Sequence, residues 1–124
     1  MRLIIAGSRD ITDPDIVDHC ISIFGLIPDV VLSGCARGVD KLGEDWAREN
    51  NVRIERWPAE WNRYGKMAGP RRNGQMADHS NALLLIWDGK SRGSKNMKNQ
   101  AAIRGLAIFE HIYSGKLRAG VRGS

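Results

Sequence analysis

Cysteine is scarce in this sequence: Cys20 and Cys35 are the only two, and they form neither a C-x-x-C pair nor a disulfide-dense scaffold. Both are read as reduced, partly buried thiols. The three histidines, His19, His79 and His111, have no H-x-x-x-H spacing and no cysteine companion, so no metal is expected. No apolar run approaches the roughly 20 residues a membrane helix needs, and the apolar stretch after Arg2 is too short for a signal peptide. The expectation is a soluble, cytoplasmic protein without a membrane partner. Two phosphate fingerprints are also missing, since there is no G-x-x-x-x-G-K-[ST] and no G-x-G-x-x-G after the first apolar run. ATP hydrolysis and ordinary NAD-dependent hydride transfer lose support, and no cofactor is expected.

What remains is a globular composition with a basic excess. The 124 residues, 42% hydrophobic and 27% charged, suit one domain with a single layered core. Residues 1–114 are read as that domain, and residues 115–124, with Lys116, Arg118 and Arg122, as a loose basic tail. A formal charge of +5 points to an anionic partner, which charge alone does not resolve into nucleic acid or a small phosphate ligand.

Hydrophobic spacing gives the architecture. Leu3 to Ala6 is a short continuous apolar run, as in a strand buried on both faces. Asp13-Pro14 reads as an N-cap and first helical position, with Ile16, Val17, Cys20, Ile21 and Phe24 at helical spacing. Val30 to Leu32 is a second strand, followed by a helix carrying Val39, Leu42, Gly43, Trp46 and Ala47 on one face. Val52 to Trp57 is a third strand. A polar connection with Trp61 and Tyr64 leads to a helix from Gly69-Pro70 to about His79, then to a strand from Ala82 to Trp87. A helix to about Arg104, a break at Gly105 and a strand from Leu106 to Ile112 complete the pattern. Strands alternating with helices imply parallel pairing through right-handed crossovers. The fold class expected is α/β: a Rossmann-like open, mainly parallel sheet of about five strands with helices on both faces.

Ligands of such sheets collect at the carboxyl ends of the strands. Three strand-to-helix turns there share one chemistry: Gly7-Ser8-Arg9, Ser33-Gly34-Cys35-Ala36-Arg37-Gly38, and Lys90-Ser91-Arg92-Gly93-Ser94. Glycine lets backbone N–H groups approach a ligand, the following helix adds its positive end, and arginine supplies a forked donor for phosphate. Arg71 and Arg72 fall in the first turn of the helix after Gly69-Pro70, where the helix dipole disfavours cations. A bound anion would remove that conflict.

Taken in order, Gly7-Ser8-Arg9, Ser33 to Asp40, Gly69-Pro70-Arg71-Arg72-Asn73 with Met76, and Trp87-Asp88-Gly89-Lys90-Ser91-Arg92-Gly93-Ser94 resemble the successive motifs of the YspA-like branch of the SLOG superfamily. The resemblance runs through nearly the whole chain except the tail. It implies a Rossmann-like fold shared with DprA/Smf DNA-binding proteins and with LOG enzymes, which cleave the N-glycosidic bond of nucleoside monophosphates. It also implies a nucleotide-derived ligand, an ADP-ribose-like signal in some branches, and a homo-oligomer. Two residues depart from the family pattern, Cys35 where glycine is usual and Ser94 where threonine is common.

On this reading backbone N–H groups around Gly7, Gly34, Gly38 and Gly93 cradle phosphate together with Ser8, Ser33, Ser91 and Ser94, with Ala36 and Gly89 in the same turns. Arg9, Arg37, Arg72 and Arg92 neutralise it, and Asp40, Asn73 and Asp88 hydrogen-bond ribose or base. LOG enzymes pair an arginine, in a motif that Arg72 and Met76 resemble, with a glutamate, but the positions resembling the acidic pair hold Asn96 and Met97. Ribosidic cleavage needs a carboxylate beside an oxocarbenium-like centre, so binding without turnover is the first expectation and hydrolysis, with Asp40 or Asp88 substituting, the second. Single-stranded DNA, tracked by the same basic groups, is third. A base stacking on Trp61 or Tyr64 is weighed equally with packing of that loop onto the sheet.

Overall fold

The computed structural model describes residues 1–115. Five strands, β1 (Arg2–Gly7), β2 (Val30–Ser33), β3 (Arg53–Arg56), β4 (Ala82–Trp87) and β5 (Ala107–Ile112), pair in parallel in the order β3-β2-β1-β4-β5. Between them run α1 (Ile16–Phe24), α2 (Val39–Glu49), α3 (Trp61–Tyr64), a 3-10 turn (Gly65–Met67), α4 (Ala68–Asp78) and α5 (Arg92–Ile103). This is the Rossmann-like α/β sheet that the strand–helix alternation implies. The chain builds outward from β1 through β2 to β3, then crosses back to lay β4 on the other side of β1. Strand order reverses between β1 and β4, which opens a crevice at their carboxyl ends.

Period-two alternation in the strands divides the core in two. Leu3 and Ile5 of β1, with Leu84 and Ile86 of β4, pack against Ile16, Val17 and Cys20 of α1 and Val39 and Ala47 of α2. Ile4 and Ala6, with Leu83 and Leu85, face the opposite way, onto Met76 and Ala77 of α4 and Met97 and Ala101 of α5. Every residue of β4 is buried, which is why its sequence is a continuous apolar run rather than an alternating one. Each fully buried Leu or Ile contributes about 1.5–3 kcal/mol of transfer free energy, so the central pair β1 and β4 anchors the crevice above it. Gly7 ends β1 because β4 comes so close that a Cβ there would fall on the Ile86 carbonyl.

Several boundaries differ from the sequence reading, β3 for one spanning Arg53–Arg56 rather than Val52 to Trp57. α1 begins at Ile16, because Asp13 to Asp15 form a turn in which the Asp13 carboxylate accepts from the Asp15 N–H (3.0 Å) and the Asp13 carbonyl from the Ile16 N–H (3.3 Å). β5 begins at Ala107. The polar connection is itself helical, α3 and the 3-10 turn running directly into α4 at Ala68. Of the expected tail, residues 116–124 lie outside the described residues. Among the described residues no helix is long and apolar enough to cross a membrane.

Candidate functional site

The crevice above β1 and β4 is a cleft of about 520 Å³. Its walls come from the turn after β1 (Gly7 to Asp10), Ala36, Arg37 and Asp40 at the entry to α2, Trp61, Lys66 and the start of α4, and Asp88 with Ser91 to Ser94 after β4. Arg9, Arg37, Lys66, Arg72 and Arg92 face three carboxylates, Asp10, Asp40 and Asp88, so its lining is net positive. A second cleft of about 440 Å³ adds Gly34, Cys35, Pro58 and Ala59, and shares Arg9, Ala36, Arg37, Trp61 and Arg72 with the first.

The α5 end of the cleft is suited to an anion. Ser91 caps the helix, its hydroxyl accepting from the Ser94 N–H at 3.4 Å, and the first turn carries no acidic residue. Within that first turn, the Ser94 hydroxyl lines the cleft, is buried, and has no hydrogen-bond partner among the described residues. A buried hydroxyl left unpaired costs about 1–3 kcal/mol, and the helix's partial positive charge favours a negative partner at this spot.

The two candidate carboxylates are engaged by their own turns. Asp88 Oδ1 accepts from the N–H groups of Lys90 (2.8 Å) and Ser91 (2.9 Å), which hold its carboxyl below the usual aspartate range. The Ser8 hydroxyl accepts from the Asp88 N–H at 3.1 Å and so ties the two central turns together. Asp40 lies in the first turn of α2 and is buried, its Oδ2 accepting from the Ala36 N–H at 3.2 Å. Burial pushes its carboxyl up to about 6, against the opposing effects of the Ala36 N–H and the nearby Arg72.

Arg72 departs from expectation. α4 starts at Ala68, so Arg72 stands past the first turn, and the protein itself resolves the conflict assigned to an anion. Its Nη1 donates to the carbonyls of Gly34 and, at 3.3 Å, Trp57, while its Nε donates to Asn73 Oδ1 at 2.9 Å. Asn73 in turn donates to Asn96 Oδ1 at 3.0 Å, joining α4 to α5. Burial lowers the Arg72 pKa, opposed by Asp40. Arg71 instead stacks on Tyr64, 4.4 Å from the ring centroid.

Of the residues singled out in sequence, Gly7, Ser8, Arg9, Ala36, Arg37, Asp40, Arg72, Asn73, Asp88, Ser91, Arg92, Gly93 and Ser94 meet in the main cleft, and Gly34 lines the adjoining one. Ser33, Gly38 and Gly89 line neither. Ser33 is fully buried, donating to Glu44 Oε2 at 2.5 Å and accepting from the Cys35 N–H at 3.1 Å, so it braces the turn from beneath. Gly38 takes a φ of 74° and lets its turn close on the Ser8 carbonyl, a conformation that suits glycine. Asp10, Lys66, Gly69 and Pro70 line the cleft without having been candidates. Pro70 and Gly69 were visible as a motif, whereas Asp10 and Lys66 carry no sequence signal beyond charge.

Fold and cleft together define a Rossmann-like domain with a basic, helix-capped crevice at its topological switch point. A family model described as "YspA, cpYpsA-related SLOG family" matches residues 1–64, and the chain belongs to that family. It is 32% identical over 120 residues to the Gene 61 protein of Mycobacterium phage D29, an alignment covering 87% of this chain and 94% of that protein. Its fold is also that of DNA processing protein A (DprA) from Streptococcus pneumoniae, with a TM-score of 0.72 at 20% identity over 92% of this chain. The chain spans 51% of that DprA structure.

Proposed function

We propose that the protein binds a phosphate-containing nucleotide or nucleotide-derived small molecule in the main cleft and holds it unchanged, as a sensor or sequestering module. The observation that carries this reading is the buried Ser94 hydroxyl in the first turn of α5, without a partner among the described residues, in a cleft that five cationic side chains also line. The phosphate lies over the α5 N-terminus, within reach of the Ser94 hydroxyl and the Arg92 guanidinium. Membership of the SLOG family supports a nucleotide over a bare anion. The test is to incubate the pure protein with nucleoside monophosphates, ADP-ribose and NAD, and to analyse bound and free fractions by mass spectrometry. Intact release on denaturation is the expected result, with retention lost in S94A.

A second reading, N-glycosidic hydrolysis, draws support from Asp40, because a carboxyl near 6 inside a cleft is poised for proton transfer near neutral pH. On that reading free base and a ribose phosphate accumulate, and D40N stops their formation. Retention of single-stranded DNA with no small molecule bound would overturn both.

A further inference from the structure

Trp61 lines both clefts, yet its side chain is 51% exposed. A large aromatic held half in water at a binding crevice has surface to give to a ligand. Its neighbour Tyr64 does not, since the Arg63 and Arg71 guanidinium groups lie 5.0 and 4.4 Å from its ring centroid and it lines neither cleft. The Trp61 ring is seated from below: a Cβ on Gly69 would lie 3.2 Å from its Cη2 atom, so glycine at the start of α4 lets the indole rest on the helix backbone. The same cleft is lined by the apolar side chains of Pro70, Met76, Met97 and Ala6 as well as by the Ser91 to Ser94 turn. A cleft of about 520 Å³ falls in the range of small-molecule sites and exceeds what a phosphate group alone fills.

We infer that Trp61 is the stacking platform for the base of the bound nucleotide, making the ligand class a base-bearing phosphate ester rather than a sugar phosphate. This rests on the anion reading above. The phosphate sits at α5, the ribose spans the Asp40 and Asn73 side of the cleft, and the base lies on the indole at its rim. Because every base has a π-face, stacking there tolerates base identity, and the larger purines gain most.

The test is calorimetric titration of the wild type, W61A and W61F with AMP, CMP and ribose 5-phosphate. In the wild type AMP binds about tenfold to a hundredfold more tightly than ribose 5-phosphate, CMP falls between them, and AMP quenches tryptophan emission. W61A brings AMP down to the affinity of ribose 5-phosphate while leaving ribose 5-phosphate unchanged, W61F keeps most of the preference, and the AMP-induced quench is absent from W61F. Where W61A does not fold, W61L gives the same contrast, since it retains an apolar side chain against Gly69 but no ring. Unchanged AMP affinity in W61A, or an equal loss for both compounds, overturns the platform while leaving the phosphate site standing. Failure of the wild type to bind any of the three overturns both.

Discussion

Arg72 and Asp40 converge on Gly34: a Cβ at that position would lie 2.7 Å from Arg72 Nη1 and 2.7 Å from Asp40 Oδ2. Neither side chain is free to retreat, because Arg72 is tied to the carbonyls of Gly34 and Trp57 and Asp40 is buried on the Ala36 N–H. G34A therefore overpacks the turn and is expected to cost about 1–3 kcal/mol, read as a lower urea midpoint at unchanged slope. It should also weaken nucleotide retention, since the two groups it displaces line the cleft.

Asp40 makes stability depend on pH in a direction opposite to an ordinary paired carboxylate. Its folded value, about 6, lies above the ordinary aspartate value of 3.8, so between these the folded state binds more protons and stability falls as pH rises from about 4 to about 6. The groups facing it are Arg72, Glu44 and the N–H groups of Ala36 and Gly7. A shift of this size corresponds to up to roughly 3 kcal/mol. D40N, which keeps the acceptor for Ala36, should flatten that part of the urea-midpoint profile. A slope that persists in D40N would assign it to another group.

Arg37 and Arg72 separate binding from stability. The Arg37 side chain is 76% exposed and pairs only loosely with Asp10, at 3.7 Å, so R37A should leave the melting transition within about 0.5 kcal/mol of wild type and lower nucleotide affinity about tenfold to a hundredfold. R72A removes donors from two backbone carbonyls and should lose about 1–3 kcal/mol of stability as well as binding. Equal stability of the two variants would contradict the bracing role of Arg72.

Cys35 has a φ of 67°, a left-handed conformation costing about 1–2 kcal/mol for a residue with a Cβ. Glycine, which has no Cβ, adopts it freely. C35G should be neutral or gain up to about 1 kcal/mol, the relief being partly offset by glycine's greater unfolded-state freedom, whereas the β-branched C35V should destabilise. Chemical denaturation of the three proteins measures the order.

Salt dependence tests a small ligand against a nucleic-acid chain. Displacement by a ligand with one or two phosphates gives a shallow slope of log affinity against log salt, while tracking of single-stranded DNA adds about 0.7 per phosphate contacted. A slope steeper than about 3 would favour DNA.

The sheet was legible because buried parallel strands spell continuous apolar runs, as Leu3 to Ala6 and Ala82 to Trp87 do, and because glycine marks where they stop. The phosphate-type turns were legible as types, glycine with serine and arginine after a strand. What sequence could not carry was the partner of each side chain. Ser33 turns beneath its loop to Glu44, Arg72 reaches Gly34 across 38 positions, and the choice between Trp61 and Tyr64 rests on which ring the guanidinium groups of Arg63 and Arg71 cover. Each depends on tertiary approach, which periodicity does not encode. The α3 helix escaped notice because four residues are too few for a period to show.

The Ser8–Asp88 contact that ties the two central turns spans 80 residues of chain. β1 emerges first, yet the neighbour that completes the cleft is made long afterward, and pairing at such separation is slow to form because loop closure precedes its reward. The cleft is complete only when β4 and α5 are docked beside β1. Any ligand bound across these two turns would stabilise only the folded sheet, so that its supply would act as a brake on unfolding.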